Sequence, residues 1–262
     1  MLVSACRRDT ATPTLRAAAD DSFSTTGYLA IGLASPDREW FSADYILAAQ
    51  ALTKLADSKP NALPRRGSGT SGAVFSRLCN PSNLNLLNNR GLPVVERLPA
   101  ATDYLFGSRD LLMAYVKATE RSGVGSFGDE LVDVMGFQFQ IVTNLFNLSD
   151  EFLASLPAND SRREVRKEGI EKMKSGASSL IAGAFLSLTE IGIYTPEQRM
   201  RLVDYLKQTV PAISGRLPSA TQTEFLLRTK SLSKSEKHHA VRQRLNELAD
   251  AMQKHSRSPV NP

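Results

Sequence analysis

The glycine-rich stretch Gly67-Ser-Gly-Thr-Ser-Gly72 comes nearest, of all parts of the sequence, to a phosphate-binding loop. The pattern GxGxxG binds dinucleotides when a strand leads into the first glycine, because the backbone N–H groups then face the pyrophosphate. Here Pro64 interrupts any strand before the glycines. A P-loop needs Lys and then Ser or Thr after the last glycine, where this chain has Ala73 and Val74. Neither nucleotide-binding loop is therefore predicted.

The same stretch also fits the glycine loop of protein kinases, but that fold needs a strand lysine some 15 residues later. No lysine occurs between Lys59 and Lys117, and the HRD and DFG motifs are missing from the sequence. We therefore predict a flexible loop over 67–72. The preceding Arg65 and Arg66, with the free N–H groups of such a loop, could still hold an anion.

Three carboxylates, Asp129, Glu130 and Asp133, follow one another closely at the expected start of a helix. A carboxylate pair can act as general acid and base, or bind a cation. The positive end of a helix dipole also favours acidic residues in the first turn, which explains them without catalysis. We adopt this second interpretation. An all-α enzyme with a site between 58–100 and 129–133 stays open as an alternative.

The histidines and cysteines form no recognisable catalytic or metal-binding pattern. His238 and His239 are adjacent and diverge by about 100° on a helix, so they cannot easily face one metal ion; the third histidine is His255. Cys6 and Cys79 are too few for a disulfide scaffold, and no CxxC spacing suggests zinc. We predict no catalytic residue, metal or cofactor, and consider a binding protein more consistent with the sequence than an enzyme.

The stretch Val3-Ser4-Ala5-Cys6 resembles the lipobox of bacterial lipoproteins, in which small residues precede the cysteine that becomes lipidated. Residues 1–27 also suit a tether, because they are rich in Ala, Thr, Ser and Asp. A signal peptide needs a basic region and an apolar region before this box, and only Met1, Leu2 and Val3 precede the small residues Ser4 and Ala5. Either the start site is set too late, or the match is accidental.

The lipobox resemblance implies a lipid anchor at Cys6, and Arg7 after it, rather than Asp, implies the outer membrane and a periplasmic location. The alternative is a disordered tail over 1–27 on a cytoplasmic protein.

Charge is unevenly distributed along the chain, whose net charge is +5. Residues 101–160 carry nine Asp and Glu against three Lys and Arg, whereas 161–262 carry ten against eighteen. An acidic middle and a basic C-terminal part can attract each other within the fold, so the basic balance need not mean a polyanionic partner. The basic residues that we predict to contact a partner are Arg65, Arg66, Lys237, Arg242 and Arg244.

The hydrophobic period is helical throughout, so the predicted fold class is all-α, a compact bundle or array of about seven to nine helices. Residues 126–148 are apolar on nearly all sides, which is typical of a core helix. Five prolines make 58–100 an irregular insertion in a single helical domain over 28–257. The helices are predicted over about 36–57, 105–121, 126–148, 162–193, 196–210, 220–230 and 234–255. Four capping boxes support their starts, at Ser161/Glu164, Thr195/Gln198, Ser219/Gln222 and Ser233/Glu236.

Three functions remain open on the sequence alone. The first is a non-catalytic, protein-binding helical protein of the bacterial envelope, lipid-anchored through Cys6, acting as an immunity or inhibitor protein or as an assembly factor. The second is a cytoplasmic protein that binds nucleic acid or an acidic partner through its basic C-terminal helices. No aromatic residue follows Phe225, so these helices lack a platform for base stacking. The third is the all-α enzyme described above.

Overall fold

The computed structural model describes residues 42–67, 69–190 and 193–257, and every regular element within these ranges is a helix. The all-α prediction is therefore confirmed. In chain order the α-helices are α1 Ser42–Ser58, α2 Gly69–Leu78, α3 Asn85–Asn88, α4 Val94–Ser122, α5 Gly128–Ser155, α6 Arg163–Thr189, α7 Pro196–Ser214, α8 Ser219–Ser235 and α9 His239–Arg257. Two short 3₁₀ helices occupy Pro60–Ala62 and Pro81–Leu84.

Helix α5 is the centre of the core, and it packs against α4, α6 and α7. Its two apolar faces are both buried, with Phe139 and Phe146 on one side and Ile141 and Leu145 on the other. A helix without a polar face must be surrounded by other helices, because exposing large apolar side chains to water raises the free energy of the fold. The prediction of a core helix over 126–148 is confirmed.

Helix α1 lies along α4 and runs in the same direction. At its start the Ser42 hydroxyl donates to the Asp103 carboxylate over 3.0 Å. At its end the Lys117 ammonium donates to Asp57 over 3.2 Å. The predicted helix over 36–57 is confirmed from residue 42 onward. Its first residues, the 1–27 tail and Cys6 lie outside the described residues.

The segment 58–100 is more helical than its prolines indicate. It contains α2, α3 and both 3₁₀ helices, and α4 already begins at Val94 instead of near 105. Pro99 lies inside α4, where it removes the hydrogen bond that its N–H would give to the Val95 carbonyl. The helix nevertheless continues through the proline.

The helix starts show which capping signals formed. Thr195 and Gln198 make the predicted capping box, with each side chain accepting from the other residue's backbone N–H, over 3.3 and 3.0 Å. The other three boxes were predicted wrongly, because the helix boundaries fall elsewhere. Neither α6 nor α8 has a side-chain cap, and Ser233 lies inside α8.

No helix in the described ranges combines the length and the apolar character that crossing a membrane would require.

Candidate functional site

The structure brings the acidic start of α5 into contact with one of the two arginines singled out from the sequence. The Arg66 Nε lies 3.3 Å from an Asp133 carboxylate oxygen, and its Nη1 lies 3.7 Å from Asp129. The Arg66 backbone N–H donates to the Glu130 carboxylate over 2.6 Å. From α7, the Arg201 Nη2 adds a second cation 2.5 Å from Asp129. The acidic cluster is thus neutralised mainly by two arginines of the same chain.

The neighbouring Arg65 faces the protein. Its guanidinium lies over the Phe127 ring at 3.6 Å from the ring centre, and it donates to the Ser126 carbonyl. Its backbone N–H donates to the Ser71 hydroxyl over 2.7 Å. Arg65 and Arg66 therefore hold the chain before α2 against the start of α5. Their role as partner contacts stays a prediction, and Arg66 is the more accessible of the two.

The glycine-rich stretch has a structural explanation. Gly67 and Gly69 adopt positive φ angles of 133° and 77°, which favour glycine. A Cβ on Gly72 would lie 1.9 Å from the Gly67 carbonyl oxygen. The backbone at Gly67 can therefore approach Gly72 this closely only because residue 72 has no side chain. The prediction of a flexible loop is wrong for residues 69–72, which form the first turn of α2.

A half-buried polar group consists of Asp133 of the acidic cluster, Tyr205 and Cys79. Burial raises the pKa of Asp133, while the nearby Arg66 opposes the rise. Tyr205 of α7 forms a side-chain hydrogen bond with Asp133, and burial raises the pKa of this phenol as well. Burial and the charge of Asp133 together raise the pKa of the Cys79 thiol. A thiol held protonated is a poor nucleophile.

A separate groove lies where the end of α6, the start of α7 and the second half of α8 meet. Its volume is about 390 Å³. The floor is apolar and consists chiefly of Phe185, Leu188 and Leu232, all buried members of the core. We call it the basic-rimmed groove, because its cationic lining residues are Arg199, Arg228 and Lys237.

The three cations of this rim differ in how they are compensated. Arg199 is ion-paired with the buried Glu236 and donates to a backbone carbonyl at the end of α6. Arg228 forms an exposed pair with Glu224 over 2.7 Å, which screens its charge only weakly. Lys237 is exposed, and no carboxylate of the described residues lies within ion-pair distance of it. The rim therefore retains positive charge that can form ion pairs with an acidic ligand.

The other two predicted contact residues have partners within the fold. Arg242 donates to the backbone carbonyls of Glu236 and Lys237, over 3.0 and 3.4 Å, and so supports the edge of the groove. Arg244 is ion-paired with Asp204 of α7. Of the residues predicted to contact a partner, the structure thus places Lys237 and Arg242 at the groove, Arg244 between α9 and α7, and Arg65 and Arg66 at the start of α5.

The expectation that the acidic middle attracts the basic C-terminal part is confirmed. Besides the Arg201–Asp129 pair, Asp150 of α5 pairs with Lys174 of α6 over 2.8 Å and with Arg216 over 3.2 Å. Several basic residues of the C-terminal part are therefore ion-paired with acidic residues of the middle part. Fewer of them remain unpaired to bind a polyanion.

Comparison with known proteins identifies no relative, because no family model, curated protein or solved structure matches this chain. Among the described residues, no three His, Cys, Asp or Glu side chains come together as a metal site would need.

Sequence reasoning missed most of the groove. Phe185 and Leu188 carry only a helical period, and Arg199 follows a capping box that indicates a helix start but no binding role. Glu236 was assigned to a capping box with Ser233, whereas it accepts from the His238 N–H over 2.8 Å and pairs with Arg199. Only the cluster of basic residues around Lys237 could have indicated this place.

Proposed function

We propose that this protein is a non-catalytic, protein-binding helical module, and that its basic-rimmed groove receives an acidic segment of a partner protein that also carries apolar side chains. The observation that supports this proposal is a groove with an apolar lining at which Arg228 and Lys237 place cations at the surface, while Arg199 is paired with Glu236. Interface centres are apolar and their rims polar, and complementary rim charges speed association and fix register. A volume of about 390 Å³ has room for a few side chains.

The contacts favour this function over the two alternatives. A nucleic-acid surface for single strands needs aromatic side chains on which bases stack, and the basic C-terminal helices have none after Phe225. An enzyme site between 58–100 and 129–133 would rest on carboxylates that the chain already uses, because Asp129 and Asp133 are both ion-paired with its own arginines.

The proposal predicts that removing two rim charges weakens binding of an acidic peptide. We expect Arg228→Gln combined with Lys237→Gln to raise the Kd by about tenfold, which is about 1.4 kcal/mol. The probe is a fluorescein-labelled 12-residue peptide that alternates acidic residues with Phe or Leu, followed by fluorescence anisotropy. Affinity for the unmodified protein is expected to fall as salt rises, because rim charges are screened.

The matched control is Lys167→Gln combined with Lys172→Gln, which removes the same charge from the exposed first half of α6. Its affinity for the peptide is expected to equal that of the unmodified protein. Equal weakening by both pairs of substitutions would mean that the peptide follows net charge, and the groove would be excluded as the site. A labelled DNA oligonucleotide that binds more tightly than the peptide would favour the nucleic-acid function instead.

We further propose that the protein acts in the bacterial envelope, anchored through a lipid on Cys6, as an immunity or inhibitor protein or as an assembly factor. The support is the resemblance of residues 3–6 to a lipobox and the tether-like composition of 1–27. When the chain is expressed in bacteria behind a complete signal peptide, we expect radiolabelled palmitate to be incorporated. Cys6→Ser should abolish the label and Cys79→Ser should not. Label that persists in Cys6→Ser would remove the basis for the envelope location.

A further inference from the structure

Helix α4 carries an exposed apolar stripe. Val95, Phe106 and Met113 are exposed to 58, 54 and 47%, although they are large and apolar. Positions 11 and 18 residues apart in a helix differ in direction by about 20° and 0°. The three side chains therefore share one face, which we call the α4 stripe. Such an aligned patch indicates a surface that something covers, whereas single exposed apolar residues need no explanation.

The α4 stripe continues into an apolar cavity of about 370 Å³. This cavity lies between the first turns of α4, the end of α5 and the first half of α6. Val95 belongs to both the stripe and the cavity. The other apolar side chains of the lining are chiefly Leu98, Pro99, Phe152, Ile170 and Met173.

The path of the chain indicates what lies over this surface. The described chain begins at Ser42, which bonds to Asp103 beside the stripe. Because α1 runs parallel to α4, the chain before Ser42 arrives from the side of α4's first three turns. That is the part of α4 in which Val95 and the cavity lie.

The sequence immediately before Ser42 has the chemistry that this surface requires. It contains the apolar run Tyr28-Leu-Ala-Ile-Gly-Leu-Ala34 and then Trp40 and Phe41. With 36–41 helical, as the sequence predicts, and 28–35 extended, the fourteen residues can reach about 35 Å, whereas the stripe from Val95 to Met113 is about 27 Å long. We propose that the segment 28–41 of this chain packs on the α4 stripe and its cavity. This assignment is independent of the function proposed for the basic-rimmed groove.

Trp40 is the only tryptophan of the chain and therefore reports on this packing. In the full-length folded protein we expect its fluorescence to peak at a shorter wavelength than in the urea-unfolded chain, with weak quenching by acrylamide. Val95→Asp combined with Phe106→Asp should shift the peak to the unfolded position and raise quenching several-fold. Far-UV circular dichroism should stay unchanged, because both side chains are exposed on a formed helix.

The control is Leu227→Asp, at an exposed apolar position on α8 away from α4, which should leave the Trp40 emission unchanged. If the aspartates unfold the protein, Val95→Ser with Phe106→Ser makes the same test without added charge. A Trp40 emission already at the unfolded position in the folded, unmodified protein overturns the proposal. An emission that neither pair of substitutions shifts also overturns the proposal. The same holds if sedimentation shows that the emission shifts only when a dimer dissociates.

Discussion

Replacing Arg97 by alanine is expected to lower the free energy of unfolding by about 2–5 kcal/mol, because about 1–3 kcal/mol is lost for each buried acceptor left unpaired. Arg97 lies in the first turn of α4 and is 3% exposed. Its Nε donates to the Leu92 carbonyl over 2.9 Å and its Nη1 to the Leu87 carbonyl over 3.2 Å. Its Nη2 is ion-paired with Glu151 of α5. One side chain thus ties α3 and the following turn to two long helices.

Urea denaturation monitored by circular dichroism measures this loss. Glu151→Gln is the control, because it removes the ion pair and leaves both carbonyl bonds intact. The Glu151 side chain is about half exposed, so this variant should lose less than about 1 kcal/mol. Arg97→Lys should resemble the alanine variant more than the parent, since an ammonium cannot span the guanidinium's three acceptors. A loss for Arg97→Ala no larger than that for Glu151→Gln would contradict this role of the carbonyl bonds.

Arg97 also shows why the sequence misplaced the start of α4. The local signals there are Pro93 and Pro99, which argue for irregular chain, and propensity alone cannot outweigh two prolines. What forms the helix is tertiary, namely the burial of Val94 and the bonds from Arg97 to carbonyls of the preceding turn. The periodic pattern of 126–148 needed no such help, and α5 was predicted within a few residues at its start.

The basic-rimmed groove could likewise be predicted only in part, because its residues are brought together by tertiary contacts that local sequence does not show. Local sequence marks Phe185 and Leu232 as members of apolar helix faces and Lys237 as part of a basic cluster. It does not show that these faces meet, because the residues are up to about 50 positions apart along the chain. The internal pairing of Arg66 with Asp133 was equally invisible, although the opposite charges of the two segments are evident in the sequence.

Adding a single methyl group at Gly107 should destabilise the protein by about 1–2 kcal/mol, although alanine is the better helix former by about 0.5–1 kcal/mol. A Cβ there would lie 2.7 Å from Cδ1 of Tyr45. The Tyr45 ring is fully buried and packs against Tyr104 and Phe137 at 5.4 and 5.6 Å between ring centres. It has no free space to move into, so α1 and α4 must separate slightly.

The matched control for this contact is Gly176→Ala in α6, where a Cβ would meet no atom within 4 Å. With no clash to oppose it, the gain in helix propensity should stabilise the protein by about 0.5–1 kcal/mol. Thermal denaturation of the two variants and the parent gives the comparison, and the midpoints should move in opposite directions. A stabilised Gly107→Ala variant would mean that the α1–α4 interface is looser than the close approach of Gly107 to Tyr45 indicates.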